Sequence, residues 1–289
     1  MELAINGAIV DRARAGETLT EAELVELDAV DVLSLGMLAD EVRRRRVGAT
    51  VTYTRVAVAD GATADGLSSL EQDDVEARLL RPGATLDETV AAVALVRRAV
   101  GNRSRVTGFS LADVASRGWG PLRSVLDALR AAGLDAIVEA PIDVVGGDDL
   151  DAIAEAGLGL VALSVQRMPA DRVIPVMAAR RLLEGRPWIA AVAPLSREQS
   201  VAAPTTGYHD VRMVALARLA LPGVGAVQID WQQYGPKLAQ VALTFGASHL
   251  DNVSPVDDPA LGSRRASVEE VRRNIAAAGF VPAAAGAPA

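Results

Sequence analysis

The chain has 289 residues, a formal net charge of −8 at pH 7 and no cysteine. The absence of cysteine excludes disulfides, thiol nucleophiles and thiolate-ligated metal or iron–sulfur centres. The acidic balance argues against nucleic acid as a partner, since phosphate binding requires a concentrated positive face. With two histidines, His209 and His249, a histidine-rich zinc site is also disfavoured, and we expect no metal.

Half of the residues are apolar and 3% are aromatic, so the core must consist mainly of Ala, Val, Leu and Ile. That composition suits buried parallel strands covered by helices. No apolar run approaches the ~20 residues that cross a bilayer, and the N-terminus lacks the apolar core of a signal peptide. We therefore expect a cytoplasmic protein without a membrane partner.

Residues 1–48 predict a helical extension. Thr20 and Glu23 have the spacing of a capping box, and Val32 to Val47 carries apolar residues at helical spacing. The second helix ends in Arg43 to Arg46. We interpret these arginines as a charged last turn on a solvated face, in preference to a nucleic-acid patch or a targeting signal, because cations there complement the helix dipole.

From residue 49 to 283 the pattern alternates between strand and helix. Thr50 to Val56 is rich in β-branched residues and predicts the first strand. A long Gly/Ala/Asp/Ser loop follows it up to Asp74 and is of the kind that is often functional. The other predicted strands are Arg105–Phe109, Ala136–Glu139, Leu160–Val165, Trp188–Val192, Ala226–Asp230, Ser248–Leu250 and Phe280–Pro282.

Predicted helices lie between these strands, at Leu86–Val100, Pro121–Ala132, Leu150–Ala156, Val173–Leu183, Val211–Leu219, Lys237–Phe245 and Val268–Ala278. Strict alternation with short connections implies parallel pairing and right-handed crossovers. Eight such units fit an α/β fold of the (β/α)8 TIM-barrel type, and the weak last strand leaves its closure open. The low-complexity segment 284–289 predicts a disordered tail.

In a barrel, side chains at the C-terminal ends of the strands face a common mouth. Glu139 and His249 are the candidates for proton transfer there. The candidates for substrate binding are Tyr53, Arg55, Ser164, Gln166, Arg167, Asp230, Gln233, Tyr234 and Asn252. The arginines suit a carboxylate or phosphate ligand.

Purely structural roles remain open for the same residues. Arg55 or Arg167 could pair with Glu139 or Asp230, and His249 could be a satisfied structural histidine.

Four segments carry a family resemblance: DVLSLGMLADEVRRRRVG at Asp31–Gly48, VTYTR at Val51–Arg55, PTTGYHDVRMVALARLAL at Pro204–Leu221, and DWQQYGPKLAQVALTFGASHLDN at Asp230–Asn252. They resemble the radical S-adenosylmethionine enzymes of the futalosine route to menaquinone, aminofutalosine synthase and dehypoxanthine futalosine cyclase. The deazaflavin-forming synthases are more distantly similar. The middle of the chain, about 60 to 200, matches this family only in its βα rhythm.

The resemblance implies a loop after the first strand in which three cysteines hold a [4Fe–4S] cluster that cleaves S-adenosylmethionine. Here that loop begins at Val56 and contains no cysteine. The fifth predicted strand also departs from the family, with Pro194 in AVAPLSRE, as does the segment Ser248 to Asp251. We therefore expect no cluster and no cofactor, and S-adenosylmethionine as a ligand is disfavoured.

The resemblance and the polar strand ends together favour a cluster-free relative that binds a small anionic metabolite related to menaquinone biosynthesis. Acid–base chemistry on that metabolite is a further option. The alternative is a non-catalytic partner of an active radical enzyme in the same pathway. As protein partners, we expect either a second copy of the chain in a homo-oligomer or a related barrel enzyme. A radical enzyme whose cysteines were replaced is disfavoured, because DGATADGLSSLEQ does not resemble a cysteine loop with simple substitutions.

Overall fold

A computed structural model describes residues 5–59, 67, 75–198, 206–255 and 268–285. Within these ranges, all strands belong to one parallel nine-stranded sheet. The strands are β1 Thr50–Ala59, β2 Val75–Leu79, β3 Val106–Ser110, β4 Ala136–Pro141, β5 Gly159–Val165, β6 Ala191–Ser196, β7 Ala226–Asp230, β8 His249–Val253 and β9 Val281–Ala284. Of the predicted long loop, the segment 59–74, the described residues are Ala59, which belongs to β1, and Leu67. The predicted tail lies outside the described residues from residue 286 onwards.

Strands β1 to β8 close into a barrel. Each strand pairs with the next along the chain, β8 pairs with β1, and β1 pairs with β2 through Arg55–Ala59 and Val75–Leu79. The predicted TIM-type fold is therefore confirmed, and the ring is closed. Strand β9 pairs with the first half of β1, from Thr50 to Tyr53, on the edge that β2 occupies further along.

The predicted number of barrel strands agrees with the structure, but one of the predicted strands lies outside the closed ring. Strand β2 was not predicted, although all five of its residues are buried, because its second and fourth residues are charged and interrupt the apolar run. The segment Phe280–Pro282, predicted as the eighth strand, overlaps β9, which lies beside the closed ring. The predicted strand Trp188–Val192 is also displaced, since β6 begins at Ala191.

Helices cover the barrel and form the N-terminal extension. They are α1 Gly7–Ala15, α2 Glu21–Ala29, α3 Val32–Val47, α4 Leu86–Val100, α5 Leu111–Ala115, α6 Leu122–Ala131, α7 Gly147–Glu155, α8 Val173–Leu183, α9 Gly207–Ala220, α10 Trp231–Leu243 and α11 Val268–Ala277. In the extension, α3 packs on α9, and α2 packs on α8 and α9. In the described ranges, no helix is both long and apolar enough to span a bilayer.

Two local sequence signals can be compared directly with the structure. The capping box at α2 is confirmed, because the backbone N–H of Thr20 donates to Glu23 Oε2 at 2.6 Å and the N–H of Glu23 donates to Thr20 Oγ1 at 3.3 Å. The helix predicted at Lys237–Phe245 begins earlier, at Trp231, and it breaks at Gly235, where φ is 76°. Glycine adopts that left-handed angle without a steric penalty.

The arginines at the end of α3 do not all face solvent. Arg44 and Arg45 are exposed and pair with Asp40 and Glu41, as a solvated face requires. Arg43 is fully buried, so the interpretation of the whole run as solvated was wrong. Its guanidinium donates to backbone carbonyls at the N-terminal ends of the barrel strands, which binds the helical extension to the barrel.

Candidate functional site

A cavity of about 770 Å³ opens at the C-terminal ends of the barrel strands. This is the end at which β/α barrels place their ligands. Its lining is strongly polar, with side chains from most of the strands. The polar and charged residues of the lining are Arg78, Arg81, Ser110, Asp113, Ser116, Arg117, Glu139, Ser164, Gln166, Arg197, Glu198, Gln228, Asp230, Gln233, Tyr234, Asp251 and Asn252.

The structure brings most of the residues predicted for the site to this cavity. The predicted residues that line it are Glu139, Ser164, Gln166, Asp230, Gln233, Tyr234 and Asn252. Those that do not line it are Tyr53, Arg55, Arg167 and His249. The strand ends thus indicated the right region, while the direction of each side chain depended on the pleat and tilt of its strand.

Three of the outlying residues serve other surfaces. Tyr53 is buried, and its hydroxyl accepts a hydrogen bond from Arg272 of α11 at 2.9 Å. Arg167 is exposed at the rim and forms an ion pair with Glu198 at 2.7 Å. Arg55 is buried at the barrel wall, and burial lowers the pKa of its guanidinium.

His249 lies within the barrel and is held by threonines of β1. Its Nδ1 is 2.7 Å from Thr52 Oγ1, and its Nε2 is 3.2 Å from Thr54 Oγ1. Burial lowers the pKa of the imidazole, which favours the neutral ring. Both ring nitrogens have protein partners, so the geometry matches the structural role that the sequence left open for His249.

Glu139 and Asp113 share the guanidinium group of Arg197. Arg197 contacts the Glu139 carboxylate and donates to Asp113 Oδ2 at 2.7 Å. Burial raises the pKa of Glu139, and the nearby Arg197 charge and Ser164 hydroxyl oppose that rise without cancelling it. A carboxyl group with a raised pKa in a cavity is a candidate for proton transfer.

Asp230 is a second buried carboxyl group in the lining. It accepts hydrogen bonds from the backbone N–H of Gln233 at 2.8 Å and from Asn252 Nδ2 at 3.0 Å. Burial raises its pKa despite these bonds. The cavity therefore holds two carboxyl groups that retain a proton to higher pH than free carboxyl groups do.

Backbone strain is concentrated at the same cavity. Phe109 has a φ of 63° and Asn252 a φ of 60°, and both residues line the cavity at strand ends. Left-handed conformations of residues other than glycine are uncommon, and such residues often cluster at functional sites.

Ser110 Oγ and Asn252 Oδ1 are buried polar atoms of the lining without a hydrogen-bond partner in the described structure. A buried polar atom without a partner carries a desolvation cost. A ligand in the cavity could supply the missing partners.

Two predicted binding residues also support the site's wall. Gln233 Nε2 donates to the backbone carbonyls of Ser196 and Arg197 at 3.0 and 3.1 Å. The hydroxyl of Tyr234 donates to the same Ser196 carbonyl. These bonds connect α10 to the end of β6 and thereby position the Arg197 guanidinium.

An ionic triad forms the floor of the cavity. Arg78 donates to Glu76 Oε1 at 2.9 Å and to both Asp251 oxygens at 2.7 and 3.0 Å. Thr107 donates to Glu76 at 2.6 Å, and Gln228 donates to Asp251 at 3.3 Å. Burial alone would raise the pKa of Asp251, but the Arg78 charge holds it below its usual value.

Two exposed arginines form a cationic part of the cavity lining. Arg81 follows β2 and Arg117 follows α5, and both side chains are exposed. Arg117 Nη2 donates to the Pro82 carbonyl at 3.3 Å, which places it beside the Arg81 segment. Neither arginine pairs with a carboxylate among the residues that the structure describes. Sequence reasoning missed Arg81 because it missed β2, and it missed Arg117 because it did not predict α5.

The cofactor implied by the family resemblance does not fit this chain. A cluster of that type requires three thiolates, and the sequence contains no cysteine. In the described ranges, no group of three or more His, Cys, Asp or Glu side chains is arranged to hold a metal ion.

Comparison with known proteins confirms the resemblance inferred from the motifs. Residues 186–286 match the family model of the CofH/MqnC C-terminal region. A 5-amino-6-(D-ribitylamino)uracil–L-tyrosine 4-hydroxyphenyl transferase of Methanoculleus marisnigri is 26% identical, with 84% of each chain aligned. The enzyme of the same name from Methanocaldococcus jannaschii is 30% identical, but the match covers 31% of this chain and 27% of that protein.

Solved structures agree on the fold. Methylornithine synthase, PylB, superposes with a TM-score of 0.69 at 13% identity, over 95% of this chain and 97% of that chain. The [FeFe]-hydrogenase maturase HydG superposes with a TM-score of 0.67 at 12% identity, over 96% and 74% respectively. At this identity, both neighbours show a shared barrel architecture.

Proposed function

We propose that this relative of the CofH and MqnC proteins binds a small anionic metabolite at the barrel mouth, without a thiolate-held cluster. The observation that supports this most is the polarity of the cavity. Its lining contains Arg81 and Arg117, which pair with no carboxylate among the described residues, together with the buried acids Glu139 and Asp230 and hydrogen-bonding side chains. A concave site with a few convergent polar groups is the usual form of a small-molecule site.

The arginine side would hold the anionic group. Arginine presents a planar set of N–H donors that matches a carboxylate or a phosphate. The unpaired Ser110 hydroxyl and Asn252 carbonyl would then bond to polar groups elsewhere on the ligand. Binding would remove the desolvation cost that these two atoms carry in the free protein.

Any chemistry would use Glu139 and Asp230. Each has a raised pKa, so each keeps a proton to higher pH than an ordinary carboxyl group and can donate it to a bound ligand. We expect the affinity for an anion to fall as the pH rises through these pKa values, because each ionisation adds a negative charge to the cavity. An affinity that does not vary with pH would contradict this assignment.

The family resemblance supports the ligand class that we propose. Our proposal is a metabolite related to menaquinone biosynthesis. The named substrates of the relatives, L-tyrosine and 5-amino-6-(D-ribitylamino)uracil, are probes of the same kind. A suitable panel contains these two compounds, chorismate-derived acids, futalosine analogues and S-adenosylmethionine.

The panel is tested by thermal unfolding and then by calorimetry. A ligand that binds the native chain raises its stability. Arg117→Gln should weaken binding about tenfold, because a charge-assisted hydrogen bond is lost. Arg98→Gln is the matched control, since it removes the same charge from an exposed arginine outside the lining. If no panel member stabilises the chain, or if the two variants bind equally, the proposal is wrong.

One surface observation favours a second candidate, a docking role. Leu33 and Met37 lie one turn apart on α3 and are 68% and 74% exposed, and Tyr208 on the adjoining α9 is 74% exposed. Exposed apolar groups on outer helices suit pairing with a second barrel, either a copy of this chain or a related radical enzyme. Light scattering of the chain alone and co-expressed with such an enzyme tests this role. Met37→Glu should dissociate any complex, and a monomer in both samples would refute the role.

A further inference from the structure

A group of arginines lies at the opposite end of the barrel from the cavity. Arg43 and Arg218 are fully buried. Arg43 donates to the carbonyls of Gly48, Thr50 and Ala247, at the N-terminal ends of β1 and β8. Within the described residues, neither arginine forms a direct ion pair with a carboxylate.

Arg218 has a similar environment. Its Nε donates to the Gly246 carbonyl at 2.8 Å and its Nη2 donates to Ser248 Oγ at 2.9 Å. Burial, together with the positive charges of Arg43 and Arg46, lowers its pKa to about 9. The three guanidinium groups are therefore close enough to repel one another.

Arg46 is the member of this group that lacks acceptors. It lies one turn after Arg43 on α3, and its guanidinium lies beside Gly16, where an added Cβ would be 3.4 Å from Nη2. Its Nη1 is buried without a hydrogen-bond partner, and no described residue accepts from its other nitrogens. A buried cationic donor without an acceptor is costly unless a ligand supplies one.

A pocket of about 380 Å³ lies against this guanidinium. It is lined by Gly16, Arg46, Val47 and the turn from Pro222 to Gly225, and none of these residues is acidic. The turn brings backbone to the pocket, and a Cβ added at Gly223 would meet no atom within 4 Å. The pocket therefore combines open space, the positive charges of three neighbouring arginines, and N–H donors of Arg46 that no described residue uses.

We propose that this pocket binds a phosphate group, held by Arg46 and attracted by the charges of Arg43 and Arg218 behind it. A phosphate dianion offers several acceptor oxygens and the double negative charge that suits three neighbouring guanidinium groups. The phosphate could be free or part of a small phosphorylated metabolite. This site is at the other end of the barrel and does not depend on the function proposed for the mouth.

The experiment uses the full chain and inorganic phosphate, titrated by calorimetry at constant pH and ionic strength with chloride as the reference salt. We expect saturable binding to the wild type. Arg46→Gln should weaken it about tenfold, the loss of a charge-assisted bond. Arg45→Gln is the matched control, because it makes the same charge change at the preceding, exposed residue of α3 and should leave the affinity unchanged.

Two further measurements separate ligand binding from a structural role of Arg46. Gly223→Leu fills the pocket without changing any charge and should also abolish binding. Without phosphate, Arg46→Gln should be at least as stable as the wild type, because a partly buried positive charge is gone; a marked loss would show that Arg46 is structural. Glycerol phosphate in place of phosphate tells whether an organic phosphate is accepted. Equal binding by Arg46→Gln and Arg45→Gln, or no saturation in the wild type, overturns the proposal.

Discussion

The ionic triad on the floor of the cavity offers the sharpest test of how this barrel is stabilised. Replacing Arg78 by methionine keeps the bulk of the side chain but leaves the carboxylates of Glu76 and Asp251 buried without their common cation. Both side chains are almost inaccessible, at 7% and 3% exposed, so water screens the resulting repulsion poorly.

Breaking a buried ion pair from one side costs about 3–5 kcal/mol, mostly because an unpaired charge remains in the interior. We expect a loss in this range for Arg78→Met. Replacing the whole triad together, with Glu76→Leu, Arg78→Met and Asp251→Leu, removes the charges and their desolvation cost at once. This triple variant should be close to the wild type in stability, or above it.

Urea denaturation followed by circular dichroism measures the free energy of unfolding for each variant by linear extrapolation. Arg123→Met is the matched control, because it removes an arginine from an exposed pair with Asp127 and should cost much less. If Arg78→Met costs no more than this control, the triad contributes nothing as an ionic unit. If the triple variant is less stable than Arg78→Met, the charges themselves stabilise the fold.

Two further stability measurements follow from the buried contacts. Because the pKa of His249 is lowered from 6.5 in the folded state, its contribution to stability is present above pH 6.5 and is lost as the pH falls towards the native pKa, by at most about 1.4 kcal/mol per pH unit. His249→Gln should therefore flatten the acid limb of a stability profile while the exposed His209→Gln does not, and identical limbs in both variants would contradict this. Gly36→Ala should destabilise the fold by about 1–3 kcal/mol, because its Cβ would lie 2.5 Å from the Phe245 ring, whereas Gly7→Ala enters open space. Thermal unfolding compares Gly36→Ala with Gly7→Ala, and equal midpoints would show that the Phe245 ring moves aside at no cost.

The candidate site shows where reasoning from the sequence succeeds. The ends of strands β4, β5, β7 and β8 were predicted within a few residues, and Glu139, Ser164, Asp230 and Asn252 lie at one mouth as a result. A closed parallel barrel directs all strand ends to the same face, so the rhythm of elements alone locates the region of the site. The proton-transfer role of Glu139 and the binding roles of the other three remain predictions.

The partners of those residues depended on the tertiary structure. Arg197 pairs with Glu139, although Arg55 and Arg167 were the arginines chosen from the sequence. Arg167 and Arg197 follow strands and Arg55 lies within β1, and only strand tilt and the closing of the ring decide which guanidinium reaches the carboxylate. The tertiary structure also decides which arginines at the end of α3 are buried. Arg43 is enclosed by the barrel, whereas its neighbours Arg44 and Arg45 face solvent.

By itself, the sequence determined the barrel architecture, the relatives and the lack of thiolate ligands, because hydrophobic period, motif spacing and composition are local properties of the chain. The tertiary structure decided that Val75–Leu79 is a strand and that Phe280–Pro282 lies beside the ring. It also decided that Arg81 and Arg117 form the cationic side of the cavity. The reason is that a strand with charged residues can be buried when its charges meet partners from distant segments, as Arg78 meets Asp251, and such partners become visible only when the chain is folded.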